Sequence, residues 1–365
     1  MRILAALLAL LLLAPAAQAS ALTPQLVRPE DGLRVAMRAM HQLATDRRDA
    51  RRARKIARPR PGLPIKLGQD GRLTVLILGS DFRAESGGER LDVVMVATID
   101  PLTGKAALLS IPRDLSGIPL AGGSNSGAMR VNSIYYIRYR DPALPHGRLD
   151  RKGLKRFSRD IGVFLGTEID YWALTRFDTF SGLINTLGGV RVDIEQAVLD
   201  PTFHHRDSRG IWFPRKDGYR LRGNPACKPK PRKCRSALVY VRSRKGTMGD
   251  HLNNDFRRAE RQQDVVRAGV RQVLDGTGSG VALLGLLLGV RQKVETNMPT
   301  TSEAAAQLFA LVSKMKLPRT NMKVLAPATW AYTAADRSLK PNLSTIRRWV
   351  DKNFYKVRTP PRQAD

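Results

Sequence analysis

The sequence has few cysteines, few histidines and few acidic residues, and each shortage excludes a class of protein. Two cysteines in 365 residues cannot build a disulfide framework or a four-thiolate zinc site. Five histidines argue against a metal centre built from imidazoles. Acidic residues number 32 against 62 Lys and Arg, and the net charge of +30 excludes an acidic or neutral cytosolic protein. The hydrophobic share of 42% still suffices for a sizeable core, in one large domain or two ordinary ones.

Long hydrophobic runs are also scarce, and the first of them predicts export. Residues 3–13 form an apolar segment after Arg2, and residues 17–19 provide the small-x-small pattern Ala-Gln-Ala at which a signal peptidase cuts. The segment is shorter than the roughly 17 to 25 residues of a spanning helix. We therefore expect residues 1–19 to be a signal peptide and the mature protein to be extracytoplasmic. An uncleaved membrane anchor is the alternative.

The two cysteines, Cys227 and Cys234, lie in a segment that is rich in Pro, Lys and Arg and lacks apolar periodicity. In an oxidising compartment, a pair of this kind forms a local disulfide. We therefore predict a bond between Cys227 and Cys234 that closes a loop rather than filling a core. Two free thiols at the surface are the alternative.

Residues 20–69 form a basic lead-in that is rich in Pro and Arg, with residues 46–61 as its most charged part. Such a run is either a solvated tail or a contact for an anionic surface. Inside a cell the contact would be nucleic acid, and outside it would be lipid headgroups or acidic wall polymer. Because we expect export, the predicted partner is an anionic membrane or wall surface and not nucleic acid.

Short apolar runs and amphipathic segments alternate from residue 70 onward, and this alternation predicts an α/β fold. The predicted strands cover residues 73–78, 92–99, 106–111, 171–175, 190–194, 237–241 and 322–325. The predicted helices cover residues 153–165, 177–187, 256–274 and 302–316, with a further buried helix, too short to span a membrane, at 281–290. The turn at residues 100–104 indicates a hairpin between the second and third strands. We therefore predict a layered α-β-α domain over residues 70–355, with a mixed central sheet, helices on both faces and a tail at 356–365.

Acidic and basic residues recur where the first three predicted strands begin or end. They are Asp81, Arg83, Arg90, Asp92, Arg113 and Asp114. Ligands of open α/β sheets bind just outside strand ends. Carboxylates beside guanidinium groups suit a phosphate ligand with Mg²⁺, because oxygen atoms hold the ion while Arg binds phosphate oxygens in a bidentate fashion. Surface ion pairs without a function are the alternative.

A second charged cluster opens the helix predicted at 256–274. It comprises Arg242, Arg244, Asp255, Arg258, Arg261 and Gln262. At 3.6 residues per turn, Arg258 and Gln262 share one face of the helix. Asp255 lies where a carboxylate stabilises a helix N-terminus, so capping is the alternative to a role in a site.

The motifs that contain these residues resemble those of the LytR-CpsA-Psr proteins of bacterial cell envelopes. In chain order, the similar segments are Gly-Ser-Asp-Phe-Arg at 79–83, Arg-Leu-Asp at 90–92, Ser-Ile-Pro-Arg-Asp at 110–114, Arg-Val-Asn at 130–132, Leu-Gly-Gly-Val at 187–190, Tyr-Val-Arg-Ser-Arg at 240–244 and the stretch 255–263, which ends in Gln-Gln. The resemblance covers about residues 70–355 and implies that this range is a catalytic domain.

The resemblance implies a phosphotransferase that moves a glycopolymer phosphate from a polyprenyl diphosphate carrier to peptidoglycan. It implies that Asp81 and Asp92 hold Mg²⁺ and that Arg113 clamps the diphosphate. Either Asp92 or Asp255 would take the proton of the acceptor hydroxyl. Diphosphate-binding roles are implied for Arg83, Arg90, Arg130, Asn132, Arg242, Arg244, Arg258, Arg261 and Gln262. The polyprenyl chain would require an apolar groove between the sheet and the helices.

The sequence departs from the family pattern at Leu91, Val93 and Arg257, where Ser, Thr and Gly are expected. Arg257 adds charge beside Arg258 and would narrow the site or reach the substrate. Two other functions use the same residues, namely a pyrophosphohydrolase with water as the acceptor and a non-catalytic module that binds polyanions. The module is disfavoured because aromatics are only 6% of residues and the Asp and Arg pairs lie at strand ends.

Overall fold

The computed structural model describes most of the chain from Ile65 to Tyr355. The described residues are 65–68, 70–82, 90–145, 147–205, 208–227, 234–245, 255–276, 294–299, 301–313, 318 and 321–355. The predicted signal peptide, nearly all of the lead-in, Arg83, the helix expected at 281–290 and the tail lie outside the described residues. In the described part, no helix is both long enough and apolar enough to cross a membrane.

Runs of strands are separated by helices along the described residues. The strands are β1 (Leu73–Ser80), β2 (Leu91–Ile99), β3 (Ala106–Ser110), β4 (Tyr171–Arg176), β5 (Val190–Ile194), β6 (Val198–His205), β7 (Ser208–Phe213), β8 (Lys216–Leu221), β9 (Glu295–Thr296), β10 (Met322–Val324), β11 (Ala331–Thr333) and β12 (Leu339–Pro341). The helices are α1 (Val131–Ile134), α2 (Arg151–Leu165), α3 (Phe177–Thr186), α4 (Ala237–Tyr240), α5 (Asp255–Gly276), α6 (Ser302–Ser313) and α7 (Leu343–Val350). Single π-helical turns follow α1 and α7, at Tyr135–Tyr139 and Asp351–Tyr355.

The central sheet has six strands in the order β10-β3-β2-β1-β4-β9. Strand β1 is antiparallel to β2 and parallel to β4, so the sheet is mixed. The hairpin predicted between β2 and β3 is confirmed, and Gly104 supplies its turn with a φ of +69° that other residues rarely adopt. Because β1 and β4 run in parallel, their carboxyl ends open at the same edge of the sheet.

The sheet separates two hydrophobic cores, because successive side chains of a strand point to opposite faces. In β1, Val75 and Ile77 enter one core, whereas Leu76 and Leu78 enter the other. Helices α3, α5 and α6 cover the first core, and α2 and α7 cover the second. The predicted α-β-α layering is therefore confirmed.

The sequence of helix α2 defines both of its ends. The side chain of Asp150 accepts a hydrogen bond from Gly153 N at 2.9 Å and caps the N-terminus. Gly166 ends the helix with a left-handed φ of +73°. Apolar residues spaced three or four apart, such as Leu154, Phe157 and Ile161, are fully buried in the second core. Each buried side chain of this size contributes about 1.5 to 3 kcal/mol, which fixes the helix against the sheet.

A third hydrophobic cluster packs the pairs β5–β8 and β6–β7 against α4. Cys227 and Cys234 form a disulfide within it, and both are buried. The predicted bond is thus confirmed, but the expectation that it lies outside a core is wrong. Hydrogen bonds fix Cys234 there, because its N–H donates to Trp212 O at 2.9 Å and its carbonyl accepts from the Tyr219 hydroxyl at 3.0 Å.

The strand predicted at residues 237–241 is wrong, because residues 237–240 form helix α4. The hydroxyl oxygen of Ser236 accepts a hydrogen bond from Val239 N at 3.2 Å, which is the N-cap arrangement that starts a helix. A short apolar run is compatible with either structure, so its periodicity could not distinguish them.

Candidate functional site

An apolar cavity lies between the central sheet and helices α3 and α5. Ile77 and Met95 line it from the sheet, Leu183 from α3 and Val266 from α5. Its polar lining residues gather where β1 and β4 end and β2 begins, and they include Ser80, Asp92, Arg176, Arg242, Arg258 and Gln262. The cavity therefore combines an apolar interior with charged groups at the sheet edge.

Arg113 lies among three carboxylates beside this edge. Its Nη1 donates to Asp92 Oδ1 at 2.7 Å, and its Nη2 lies 3.6 Å from Asp255 Oδ2. Its Nε lies 3.4 Å from Asp114 Oδ2 without the geometry of a hydrogen bond. Burial alone would lower the pKa of Arg113, but the hydrogen bond to Asp92 and the three negative charges raise it. Arg113 is thus a permanently charged guanidinium held from several sides.

The carboxylate of Asp255 contacts two further arginines besides Arg113. It begins α5, and its Oδ1 lies 2.8 Å from Arg258 Nη2 and 3.9 Å from Arg244 Nη1. Arg258 is 5% exposed, and burial lowers its pKa while Asp255 and Asp92 oppose that effect. We call Arg113, Arg244 and Arg258, with Asp92, Asp114 and Asp255, the arginine cluster.

Two buried donors of the arginine cluster have no hydrogen-bond acceptor among the described residues. They are the Nε–H groups of Arg113 and Arg258. A buried polar group without a partner costs about 1 to 3 kcal/mol. Arg258 lines the cavity and shares Asp255 with Arg113, so an anionic group at that edge of the cavity would meet positive charge.

Asp81 lies at the end of β1, next to the start of β2. Its N–H donates to Arg90 O at 3.1 Å, and its Oδ1 accepts from Arg90 N at 2.6 Å. The backbone of Arg90 is thereby fixed, while its side chain is exposed. Arg83 lies outside the described residues, so its predicted role stays a prediction.

Asp81 and Asp92 provide carboxylates at the ends of two adjacent strands. Mg²⁺ in phosphate-transferring sites needs only one or two protein carboxylates, because the substrate supplies further oxygens. The donor chemistry of this pair therefore fits Mg²⁺. Within the described ranges, no group of three or more His, Cys, Asp or Glu residues could hold a metal without such a substrate.

The residues predicted from the loop at 130–132 lie next to the arginine cluster. Arg130 Nη1 donates to Asp114 Oδ1 at 3.0 Å, although its side chain is 62% exposed. Asn132 is buried, and its backbone N–H donates to Arg113 O at 3.1 Å. The loop therefore fixes the backbone of Arg113 and adds one accessible cation beside it.

Three other predicted residues are held by contacts around the segment 240–243. Arg261 is buried and donates to Tyr240 O at 3.0 Å and to Ser243 O at 2.5 Å. Gln262 donates to Val241 O at 3.2 Å while lining the cavity. The guanidinium of Arg242 stacks 4.6 Å from the ring centre of Phe177. In this geometry, Arg261 orients the segment rather than facing the cavity, whereas Gln262 and Arg242 face it.

Two residues that contribute here were not among the predicted site residues. Arg176 ends β4 and lines the cavity, so the rule that placed Arg113 at a strand end would have found it. Gln263 joins α5 to the sheet, because its Nε2 donates to Ser110 Oγ and to Lys323 O, both at 2.8 Å. Arg257, in contrast, pairs with Glu260 at 2.8 Å on the helix surface.

The model of the LytR_cpsA_psr family matches residues 36–340 of the sequence. The chain belongs to the LytR-CpsA-Psr family. The match begins within the segment predicted to be the lead-in, and the predicted domain boundaries stay predictions. The resemblance inferred from the motifs at 79–83, 110–114 and 255–263 is confirmed.

Individual members of the LytR-CpsA-Psr family are similar to this chain over most of its length. The polyisoprenyl-teichoic acid–peptidoglycan teichoic acid transferase TagV of Bacillus subtilis (strain 168) is 27% identical over 293 residues, which cover 78% of this chain and 62% of TagV. The regulatory protein MsrR of Staphylococcus aureus (strain COL) is 28% identical over 241 residues, which cover 65% and 59%. The chain thus spans about three-fifths of the length of these curated relatives. The crystal structure of B. subtilis TagV shares the fold with a TM-score of 0.53 and 24% identity, over 77% of this chain and 96% of that one.

Proposed function

We propose that this LytR-CpsA-Psr protein is an extracytoplasmic phosphotransferase. It moves a glycopolymer phosphate from a polyprenyl diphosphate carrier to a hydroxyl group of peptidoglycan. This class of reaction is supported by the similarity to TagV, a polyisoprenyl-teichoic acid–peptidoglycan teichoic acid transferase. The predicted signal peptide and the Cys227–Cys234 disulfide support an extracytoplasmic location.

One observation carries the proposal, namely that Arg258, with a buried Nε–H donor that has no acceptor, lines the polar end of an apolar cavity, while Arg113 shares the carboxylate of Asp255 with it. An apolar chain that ends in a diphosphate has the same division into apolar and anionic parts. The interior around Leu183 and Val266 would hold the polyprenyl chain, and the guanidinium groups would hold the diphosphate.

In the proposed reaction, the acceptor oxygen forms a bond to the phosphorus that carries the glycopolymer. The bond from that phosphorus to the bridging oxygen breaks, and its electron pair leaves with the polyprenyl phosphate. Arg113, Arg244 and Arg258 stabilise the charge that develops on the leaving phosphate. Because the guanidinium groups are already oriented by carboxylates, little reorganisation accompanies the reaction.

Asp92 and Asp255 are the two carboxylates proposed to accept the proton of the acceptor hydroxyl. Asp255 lies within 4.0 Å of three guanidinium groups and does not line the cavity, so we assign it to orienting those groups. Asp92 lines the cavity and contacts Arg113 through one oxygen. We therefore assign to Asp92 the orientation of the acceptor hydroxyl and the removal of its proton.

Asp81 and Asp92 are also the residues that would hold Mg²⁺. The bound ion would neutralise charge on the diphosphate. Arg130 and Arg242 would add positive potential on two sides of the arginine cluster, and Gln262 would donate to a phosphate oxygen. The basic lead-in at 20–69 would bring the protein to an anionic membrane or wall surface.

The test is a transfer assay with a polyprenyl diphosphate-linked oligosaccharide and peptidoglycan fragments. We expect the saccharide to become linked to peptidoglycan through a phosphodiester, with loss of the reaction in EDTA and recovery on addition of Mg²⁺. Arg258→Ala should abolish transfer, whereas Arg191→Ala, at an exposed position on β5, should not. If free saccharide phosphate were the only product, the protein would be a pyrophosphohydrolase rather than a transferase. If EDTA did not change the rate of transfer, the proposed requirement for Mg²⁺ would be refuted.

A further inference from the structure

Helix α2 carries a row of cations on its solvent face. Arg151, Lys152, Lys155, Arg156 and Arg159 are all exposed, and we call them the cationic ridge. Among the residues that the structure describes, none of the five forms a salt bridge. The two acidic residues nearest in sequence have other roles, since Asp150 caps the helix and Asp160 is buried and accepts from Ala121 N.

This arrangement of charge works against the stability of the helix. Lys155 lies one turn from both Arg151 and Arg159, and Lys152 lies one turn from Arg156, so like charges repel along two rows. Arg151 and Lys152 also occupy the first turn, where the helix dipole disfavours cations. Arg151 has a use within the protein, because its Nη1 donates to Thr296 O at 3.0 Å and its guanidinium lies 5.9 Å from the ring centre of Trp172. For Lys155 and Arg159, neutral side chains would make the helix more stable, so we infer that these charges serve to bind an anionic partner.

The composition of the cleft beside the cationic ridge indicates what that partner is. Lys155 and Arg159 border the cleft, and Glu168, Asp170 and Asn297 border it from the start of β4 and the segment after β9. Carboxylates repel a bare anion, but they accept hydrogen bonds from sugar hydroxyl groups. Cations next to carboxylate and amide groups therefore fit a saccharide that carries acidic groups.

A bilayer fits this face less well than a polysaccharide does. A helix that lies in a membrane interface inserts an apolar face among the lipids. The apolar side chains of α2, such as Phe157 and Phe164, are fully buried against the sheet. Within the described part of the helix, Val163 is the large apolar side chain that is exposed.

We propose that the cationic ridge and the adjoining cleft bind a strand of acidic polysaccharide. Helix α2 covers the second core, whereas the apolar cavity lies on the side of the first core, so the two binding regions occupy opposite faces of the sheet. The proposal goes beyond the transfer reaction and does not depend on it, because binding is measured without turnover.

The test compares two triple variants of the full chain by titration with polygalacturonate. Lys155→Gln/Arg156→Gln/Arg159→Gln should weaken binding about tenfold or more and flatten its salt dependence, because fewer counterions are released. The matched control, Arg191→Gln/Arg215→Gln/Lys216→Gln, removes the same charge from exposed positions on and beside β5 and β8 and should change affinity less than about twofold. Methyl-esterified polygalacturonate, which lacks the charges, should bind weakly to all three proteins.

Several outcomes would overturn the proposal. Equal losses in both triple variants would mean that net charge alone attracts the polymer. If poly-L-glutamate bound as tightly as polygalacturonate, the sugar hydroxyl groups would not contribute to binding. If binding of phosphatidylglycerol vesicles required the cationic ridge and binding of polygalacturonate did not, this face would be a membrane-binding surface. Misfolding does not confuse the result, because removing like-charge pairs should raise the melting temperature of the α2 variant.

Discussion

Asp255 holds Arg258 one turn further along the same helix, with Oδ1 and Nη2 2.8 Å apart. The carboxylate of Asp255 also faces Arg113 at 3.6 Å and Arg244 at 3.9 Å. Guanidinium groups that come from the end of β3, from the segment after α4 and from α5 thus share one anion. Their mutual repulsion is offset in the free protein, so they are oriented before any substrate arrives.

The first prediction concerns the shape of the Arg113 side chain. Arg113→Lys should lower transfer nearly as much as Arg113→Ala, each on the order of 100-fold or more, because a point charge cannot replace a bidentate guanidinium. The measurement is kcat/KM for a polyprenyl diphosphate-linked saccharide. Arg191→Lys, at an exposed position on β5, is the control and should behave as wild type. Wild-type turnover in Arg113→Lys would place the reaction elsewhere.

The second prediction concerns the length of the lipid chain. Val266→Phe enlarges a side chain that lines the apolar cavity. We expect turnover of a long polyprenyl substrate to fall about tenfold or more, while a geranyl diphosphate substrate is turned over within about twofold of wild type, because overfilling acts on the apolar chain alone. Val163→Phe, on the exposed face of α2, should leave both substrates unaffected. Equal losses for both chain lengths would mean that the cavity does not hold the lipid.

The third prediction is a pH dependence of stability that arises at Asp170. Burial raises the pKa of Asp170 to about 7, Glu168 and Asp70 add to the increase, and a hydrogen bond from Thr74 N opposes it. Between about pH 4 and pH 7, the carboxyl is ionised in the unfolded chain but protonated in the folded protein, so raising the pH favours unfolding.

Asp170→Asn removes this ionisation. Relative to wild type, the variant should have an unchanged melting temperature near pH 4 and a higher one at pH 8, as measured by thermal unfolding. Asp217→Asn, which changes an exposed carboxylate, is the surface control and should not reproduce the gain at pH 8. The same shift at both pH values for Asp170→Asn would contradict the raised pKa.

The fourth prediction concerns the disulfide. Cys227→Ser/Cys234→Ser should lower the free energy of unfolding by about 2 to 3 kcal/mol, because a short loop is no longer closed in the unfolded chain. Urea unfolding of the double variant and of reduced wild type should give the same midpoint. Because both sulfur atoms lie in the third hydrophobic cluster, Cys→Ala at the two positions should be less damaging than Cys→Ser. A midpoint equal to that of oxidised wild type would refute the stabilising role.

The parts of the fold that the sequence predicted well are those with long or strongly patterned signals. Strand β1 was predicted from a continuous apolar run and α2 from apolar residues three and four apart. Each pattern is compatible with few ways of burying its apolar side chains. The segment 237–241 was assigned wrongly because its few apolar residues fit either a strand or a helix, and the cap at Ser236 decides between them.

The sequence predicted which residues belong to the candidate site better than it predicted how they are arranged. Arg113 and Asp92 were found because they lie at strand ends, and the structure brings them within 2.7 Å. The sequence could not choose between Arg261 and Arg258 as residues that face the cavity. Both are 5% exposed, but Arg261 donates to backbone carbonyls while Arg258 lines the cavity. Only tertiary packing separates the two, because helical spacing places them on neighbouring faces.

The first turns of α5 set the spacing of the side chains that build the site. Asp255 collects the arginines, Arg258 borders the cavity, Arg261 holds the segment 240–243, and Gln263 is bonded to β3 and β10. Insertion of one residue between Asp255 and Arg258 would rotate the start of the helix by about 100° against the rest. The interval between these side chains therefore matters to the site as much as their chemistry does, because a change of length within residues 255–263 would separate the carboxylate of Asp255 from the arginines that it orients.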